Sequence, residues 1–260
     1  MHRIGFRTSG FAAWDTERVL RTLAQIGYGC IELCLEHPDT QPAAMTPARC
    51  RDVAALLGAL DLTLSSVSYH GDGRSAEERA ESSIRAVEVA EQMKCPILVV
   101  NTMRAESGRG EEQTLAALDL TRRLLDHSRR QVTLAFEPEP GLVIGTVDDM
   151  IEFRRRAGSD RVRVNLDIGH AAITEPKLPA AIMRLGGAIV HTHIEDIAGK
   201  VHKHLVLGEG EIDFASVRTA FGGIMYRGDY TVDMFALGDD PLDTARRCFE
   251  GMQRWFGPTC

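Results

Sequence analysis

The chain has 260 residues, 44% hydrophobic and 26% charged, a balance that supports one large folded core and excludes a disordered or low-complexity protein. Its formal net charge of −7 argues against a nucleic-acid partner bound through the phosphate backbone. There is no apolar run of the ~18 residues that a membrane span needs, and the opening Met-His-Arg-Ile-Gly-Phe lacks the apolar stretch of a signal peptide, so a soluble, cytoplasmic protein with no membrane partner is expected.

In chain order, a short strand over 4–6 is followed by a helix over 15–25 that Asp15 caps, then by a strand over 30–35. Thr46 before Pro47 opens a helix over 46–60, and a strand follows over 62–68. The alternation continues as helix 76–93, strand 97–101, helix 113–128 and strand 132–137. Thr146, with Asp148 and Asp149 in the first turn, starts a helix over 147–156 ahead of a strand over 162–167. A helix over 177–185, ended by Gly186-Gly187, leads to a strand over 188–193. A helix over 214–221, a strand over 230–235 and a helix over 241–255 behind Asp240-Pro241 complete the pattern. Eight strands alternating with eight helices, without a linker or a shift in composition, predict one α/β domain over 1–260, a single (β/α)8 TIM barrel. An open doubly wound sheet is the competitor, and the lack of Gly-x-Gly-x-x-Gly after the first strand counts against it. The cysteines at 30, 34, 50, 95, 248 and 260 form no Cys-x-x-Cys pair, and buried free thiols are expected.

In such a barrel the working groups stand at the C-terminal ends of the strands. The third strand ends Ser68-Tyr69-His70, the fourth at Asn101 and the fifth at Glu137. The sixth ends Asp167-Ile168-Gly169-His170 and the eighth Val232-Asp233. The seventh runs into His191-Thr192-His193-Ile194-Glu195-Asp196, with His202-Lys203-His204 and Gly208-Glu209-Gly210 soon after. Imidazole nitrogens and carboxylate oxygens suit Zn²⁺, Mn²⁺ or Fe²⁺, and residues two apart on a strand face the same way, so His191 and His193 share a side. Each residue alone has a structural use, as a helix cap or a partner for a buried carbonyl. Their convergence on one mouth is what points to a metal.

The order Glu137, Asp167-x-x-His170, His193-x-x-Asp196, His202-x-His204, Gly208-Glu209-Gly210 and Ile212-Asp213-Phe214 resembles the xylose isomerase-like superfamily, also described as sugar phosphate isomerases/epimerases or AP endonuclease family 2. The resemblance covers nearly the full chain and is carried mainly from the fifth strand onward. It implies one divalent metal (Mn²⁺, Zn²⁺, Mg²⁺ or Co²⁺) on Glu137, Asp167, His193 and Asp233. Asp233 stands where ketose 3-epimerases of the superfamily have glutamate, one methylene longer, and a misplacement of about 1 Å can cost roughly a hundredfold in rate. Endonuclease IV, a trinuclear zinc phosphodiesterase of the same superfamily, has further ligands at positions that match His70, His170, His204 and His202. Asn101 replaces one of its histidines, which argues for one or two ions rather than three.

The resemblance implies a metal-dependent isomerase or epimerase of a small keto sugar, polyol or cyclitol, working by proton transfer through a metal-bound enediolate. Glu137 and Asp233 are the expected acid/base pair. His70, His170, His204 and His202 would hold substrate hydroxyls or a second metal, and Asp196 would orient a histidine ligand from behind. The acidic loop Leu237-Gly238-Asp239-Asp240 favours an unphosphorylated substrate, with Arg7, Arg104, Arg109, Lys200 and Lys203 left as anion contacts. Phe11 and Trp14 are candidates either for an apolar wall over the sugar or for helix packing. Glu32 and Glu36 share a face of the second strand, where a structural ion pair is expected ahead of a place in the site. His2, His37 and His127 read as surface, and Arg122-Arg123 and Arg129-Arg130 as cations at a helix end. Two other functions stay open: a metal-dependent hydrolase or lyase on this scaffold, either an endonuclease IV-like phosphodiesterase or a keto-glycoside-cleaving enzyme, and a catalytically silent sugar-binding protein. A homo-oligomer is compatible with all three.

Overall fold

The computed structural model describes residues 2–11, 13–71, 74–129 and 131–257. Eight parallel strands close into a barrel in sequence order, as expected from the alternation of strand and helix patterns. They are β1 (Ile4–Arg7), β2 (Cys30–Cys34), β3 (Thr63–Ser68), β4 (Ile97–Val100), β5 (Thr133–Phe136), β6 (Val162–Asp167), β7 (Ile189–Ile194) and β8 (Tyr230–Val232). The helices are α1 (Thr16–Ile26), α2 (Pro47–Ala59), α3 (Ala76–Gln92), α4 (Gly110–His127), α5 (Val147–Ala157), α6 (Ile168–Thr174), α7 (Leu178–Leu185), α8 (Phe214–Gly223) and α9 (Pro241–Phe256). The caps named above hold: Asp15, Thr46, Thr146 and Asp240 each accept a hydrogen bond from a first-turn amide.

The short helix α6 had no counterpart in the sequence reading. It is only two turns, too brief for an apolar period to register, and Asp167 caps it by accepting from the His170 amide at 2.7 Å. That cap fixes which way the Asp167 carboxylate faces.

The apolar core lies between strands and helices. Phe6 packs edge-on to Tyr28 and beside Phe11, and Phe136 packs on Phe153. Phe11 is buried against Phe6 and Trp14, and Arg18 lies over the Trp14 ring at 3.8 Å, so both aromatics pack helix against barrel and neither walls the mouth. The barrel interior is polar instead: Glu32, Ser66, Asn165, His191 and His193 are all fully buried.

Two bulges bring these polar groups into line. Ile31 pairs with Leu64 and Glu32 with Ser66, so β3 carries one extra residue, Ser65. Val164 pairs with Ile189 and Asn165 with His191, so β7 carries Val190 as its extra residue. Because side chains alternate along a strand, that single insertion sets His191 beside Asn165 and His193 beside Asp167. Cys30, Cys34, Cys50, Cys95 and Cys248 are buried free thiols, and burial pushes Cys34, Cys95 and Cys248 up to about 12, so they pack as small apolar groups. Cys260 and Arg130 lie outside the described residues.

Candidate metal centre

Glu137 follows β5, Asp167 ends β6, His193 stands on β7 and Asp233 follows β8. Parallel strands of one barrel deliver these residues to one level. His193 Nδ1 lies 3.3 Å from Glu137 Oε1, 3.5 Å from Asp233 Oδ2 and 3.9 Å from Asp167 Oδ2. One ligand atom from each of the four lies within 4.8 Å of every other, and all four side chains are buried. Ligands held ~2.0–2.2 Å from one ion stand about 3–3.5 Å apart in a tetrahedral arrangement. Buried Asp167 Oδ2 has no hydrogen-bond donor, an expensive condition for a carboxylate oxygen that a divalent ion would relieve. The donor set of one imidazole and three carboxylates fits Mn²⁺, Zn²⁺ or Mg²⁺ chemistry.

The group behind the histidine is Glu32, not Asp196. His193 Nε2 lies 3.0 Å from Glu32 Oε2, which leaves Nδ1 toward the ion position, an arrangement of carboxylate, histidine and metal that fixes the tautomer. Glu32 also receives the Ser66 hydroxyl at 2.7 Å, and it meets His191 Nε2 at 2.8 Å and Arg7 Nε at 3.0 Å. Burial opposes its charge, but His193 and His191 more than offset this and hold the Glu32 carboxyl well below the usual range. The expected ion pair at Glu32 is present, and it forms the floor of the centre.

Asp196 turns away from the imidazoles. Its carboxylate accepts from the amides of Ile197, Gly208, Gly210 and Ile212 at 2.8–3.0 Å, tying the loop after β7 into a closed unit. Asp196→Ala would strand several of those donors, at about 1–3 kcal/mol for each one left buried without a partner. The expected result is a loss of roughly 3 kcal/mol or more in urea unfolding. A change under about 0.5 kcal/mol would show that water replaces the carboxylate. Glu195, in the same stretch, is buried and accepts from the Gly169 amide at 2.6 Å. A Cβ at Gly169 would run into that carboxyl, so glycine is required there. Burial and the neighbouring Asp167 push Glu195 well above the usual carboxylate range.

A second group stands above the four ligands. His70 Nε2 is 3.2 Å from Glu137 Oε2, and His170 Nδ1 is 3.4 Å from Glu137 Oε1. His170 Nε2 lies 2.8 Å from His202 Nε2. His204 Nδ1 donates to the Asp233 carbonyl at 2.9 Å, which leaves its buried Nε2 without a partner. His170, His202 and His204 together offer three ring nitrogens within 4.8 Å of one another. Asn101 is not part of this set. Arg79 donates to its carbonyl and side-chain oxygens, and its amide donates to Glu139 Oε2 at 3.1 Å.

Burial works against charge on Glu137, yet His193 and His70 hold its carboxyl well below the usual range. Asp233 is likewise lowered against burial by Arg7, then His193 and His204. The mouth holds a cavity of about 350 Å³, within the range of small-ligand pockets. Its rim includes Ser9, Glu36, Glu139 and Phe235, and the Phe235 ring, half exposed, stands 4.6 Å from His204. Arg7 was read as an anion contact, but its guanidinium is turned inward to carboxylates of the chain itself. Arg109 is committed to Glu106 and Glu112 on the surface. His37 is a further correction: it is buried, with Nδ1 2.6 Å from Asp39 and Nε2 3.2 Å from the Phe11 carbonyl. His2 and His127 do lie at the surface, the first against the Gly228 carbonyl and the second against Glu88. Glu139 and Phe235 carry no expected role because they stand just past the strand ends.

Comparison with known proteins gives the family and the fold. Residues 20–254 match the family described as xylose isomerase-like TIM barrel, and the chain belongs to that family. An L-ribulose 3-epimerase of Mesorhizobium japonicum is 31% identical over 94 residues, which cover 36% of this chain and 30% of that relative's length. The match therefore spans under a third of that protein. Among solved structures, a D-allulose 3-epimerase from Methylomonas sp. in complex with D-allulose superposes with a TM-score of 0.81 at 18% identity, covering 98% of this chain and 97% of the other. A 3-keto-D-glucoside 4-epimerase from E. coli gives 0.80 at 17% identity, covering 98% and 100%. A probable 3-DHS dehydratase from Bacillus anthracis gives 0.78 at 14% identity, covering 96% and 98%. At such identities these structures share the fold. Among the described residues, no helix is long and apolar enough to cross a membrane.

Proposed function

We propose that the protein is a metal-dependent isomerase or epimerase of a small, unphosphorylated keto sugar, polyol or cyclitol. The observation that carries this reading is the meeting of Glu137, Asp167, His193 and Asp233 around one point, with Glu137 and Asp233 opening onto the cavity at the barrel mouth. Those four residues would hold the ion, and when bound it supplies Lewis-acid polarisation of a substrate carbonyl. The C–H beside that carbonyl is acidified, and a carboxylate within reach can take its proton. Glu137 is the first choice for that step, because it opens onto the cavity and the His70 ring nitrogen lies 3.2 Å from Oε2, placed to stabilise the charge or pass on the proton. Asp233 is the second acid/base. His170, His204 and Glu139 stand where substrate hydroxyls need partners, and Phe235 offers the apolar surface on which a sugar ring packs. The epimerases named above support the reaction class, as proteins of the same fold acting on ketoses or keto-glycosides.

The test is solvent exchange. Protein loaded with Mn²⁺ or Co²⁺, incubated in D2O with D-fructose, D-allulose, L-ribulose and keto-inositols, is expected to incorporate deuterium beside the carbonyl of at least one of them. Tight sugar binding without exchange across the panel would favour the silent binding protein. A second reading, a hydrolase or lyase, rests on His170, His202 and His204, which can hold another ion. Retention of about three zinc ions per chain after dialysis would turn the assignment that way.

A further inference from the structure

We propose that Arg7 is a resident counter-cation of the metal centre, one that weakens its grip on a divalent ion by sharing Asp233 and Glu32, so that the ion stays exchangeable. Arg7 ends β1 and is 6% exposed. Its Nη1 lies 3.1 and 3.3 Å from the two Asp233 oxygens, and its Nε lies 3.0 Å from Glu32 Oε1 and 3.3 Å from Ser68 Oγ. Nη2 faces His70 Nδ1 at 3.5 Å, Cys34 Sγ at 3.7 Å and Glu36 Oε2 at 3.7 Å. Every edge of the guanidinium is engaged by the chain, so Arg7 is no free arm for a substrate anion.

Its two main partners are a proposed ligand and the carboxylate behind another ligand. Glu32 alone, accepting the Nε2 proton of His193, makes the imidazole a better electron donor to an ion. Arg7 acts in the opposite sense: it draws electron density from Asp233 and Glu32 and sets a permanent positive charge beside the place a second cation must occupy. In the ion-free protein the same charge keeps the buried carboxylates from repelling one another. Arg7 thus acts through Asp233 and Glu32, as a positioning residue that trades affinity for a stable empty state. The inference rests on the metal reading given above.

The experiment is calorimetric titration with Mn²⁺ and Zn²⁺ of the wild type, Arg7→Met and Arg7→Lys, with thermal unfolding of each ion-free form. Arg7→Met is expected to bind at least about tenfold more tightly, the lower end of what outer partners of metal ligands control, while its ion-free form melts earlier. Arg7→Lys, which keeps the charge, should stay near wild type. In an Asp233→Asn background the gain from Arg7→Met should shrink. Equal or weaker binding by Arg7→Met would overturn the proposal and make Arg7 simply the scaffold of Asp233. Should Arg7→Met fold only with metal, it is refolded in Mn²⁺ and chased with a chelator; slower release than wild type is expected, and faster release overturns the idea. A wild type that binds no ion defeats the metal reading itself, whereas a binding wild type with no gain in Arg7→Met defeats only the role of Arg7.

Discussion

Glu137→Gln is expected to abolish deuterium exchange into every ketose tested and to leave too little metal on the protein to survive dialysis. The substitution keeps shape and volume, so the barrel should fold normally. What changes is charge and basicity at a point where Oε1 faces His193 Nδ1 at 3.3 Å and Oε2 faces His70 Nε2 at 3.2 Å. An amide is a poor ligand beside a carboxylate and cannot serve as the base, so the two losses compound. General acid-base steps alone contribute ~10²–10⁴-fold, and loss of the ion should take the remainder below detection. Full metal content by elemental analysis, or exchange within about tenfold of wild type, would remove Glu137 from both roles.

Glu32→Leu is expected to have the largest effect on stability of any single change in the barrel interior. Glu32 is fully buried among Arg7, His191, His193 and Ser66, and it is the only carboxylate on the Nε2 side of His193 described in the structure. Its removal leaves the Arg7 guanidinium short of a partner in a low-dielectric interior, and breaking such a buried pair typically costs ~3–5 kcal/mol. Denaturant unfolding of the ion-free protein should reveal that loss. Glu32→Gln, which keeps the hydrogen-bonding shape, should fold better yet bind metal ~10–100-fold more weakly, because the His193 ring loses its charged partner. If Glu32→Leu unfolds within 1 kcal/mol of wild type, a figure at the low end for single core changes, the network is not the floor described here.

The fold was legible because most strands are apolar, β-branched runs and several helices carry their own start signal, as at Asp15, Thr46 and Asp240. The four proposed ligands were implied by the resemblance, and their meeting at one mouth was legible because they stand at or near the ends of strands five to eight. Glu32 was visible as a carboxylate on a strand, but its destination was not. A strand periodicity says which face a side chain takes, whereas the pairing of Glu32 with residues more than 150 positions away depends on barrel closure. Asp196 misled for a related reason. Beside two histidines in sequence it reads as their partner, yet the adjacent Ile197 amide and three more that the turn through Gly208 and Gly210 brings round compete for it and win. His37 is the same lesson on a smaller scale: Asp39 and the Phe11 carbonyl, supplied by folding, bury a ring that looked idle. The α6 cap shows the reverse case, in which one residue serves two ends, since Asp167 offers Oδ1 to a helix and Oδ2 to the centre.

Val190 carries no chemistry of its own, yet the site's spelling depends on it. It is the spacer that lets a strand beginning in step with β6 end one residue out of step, with His191 and His193 turned to the axis. Because the bulge takes Val190 out of the ladder, Ile189 keeps its pairing with Val164 while His191 and His193 lie beside Asn165 and Asp167. The placing of these side chains is thus encoded in counting as much as in residue type: an extra residue that no bulge absorbed would turn every later side chain of the strand to the other face.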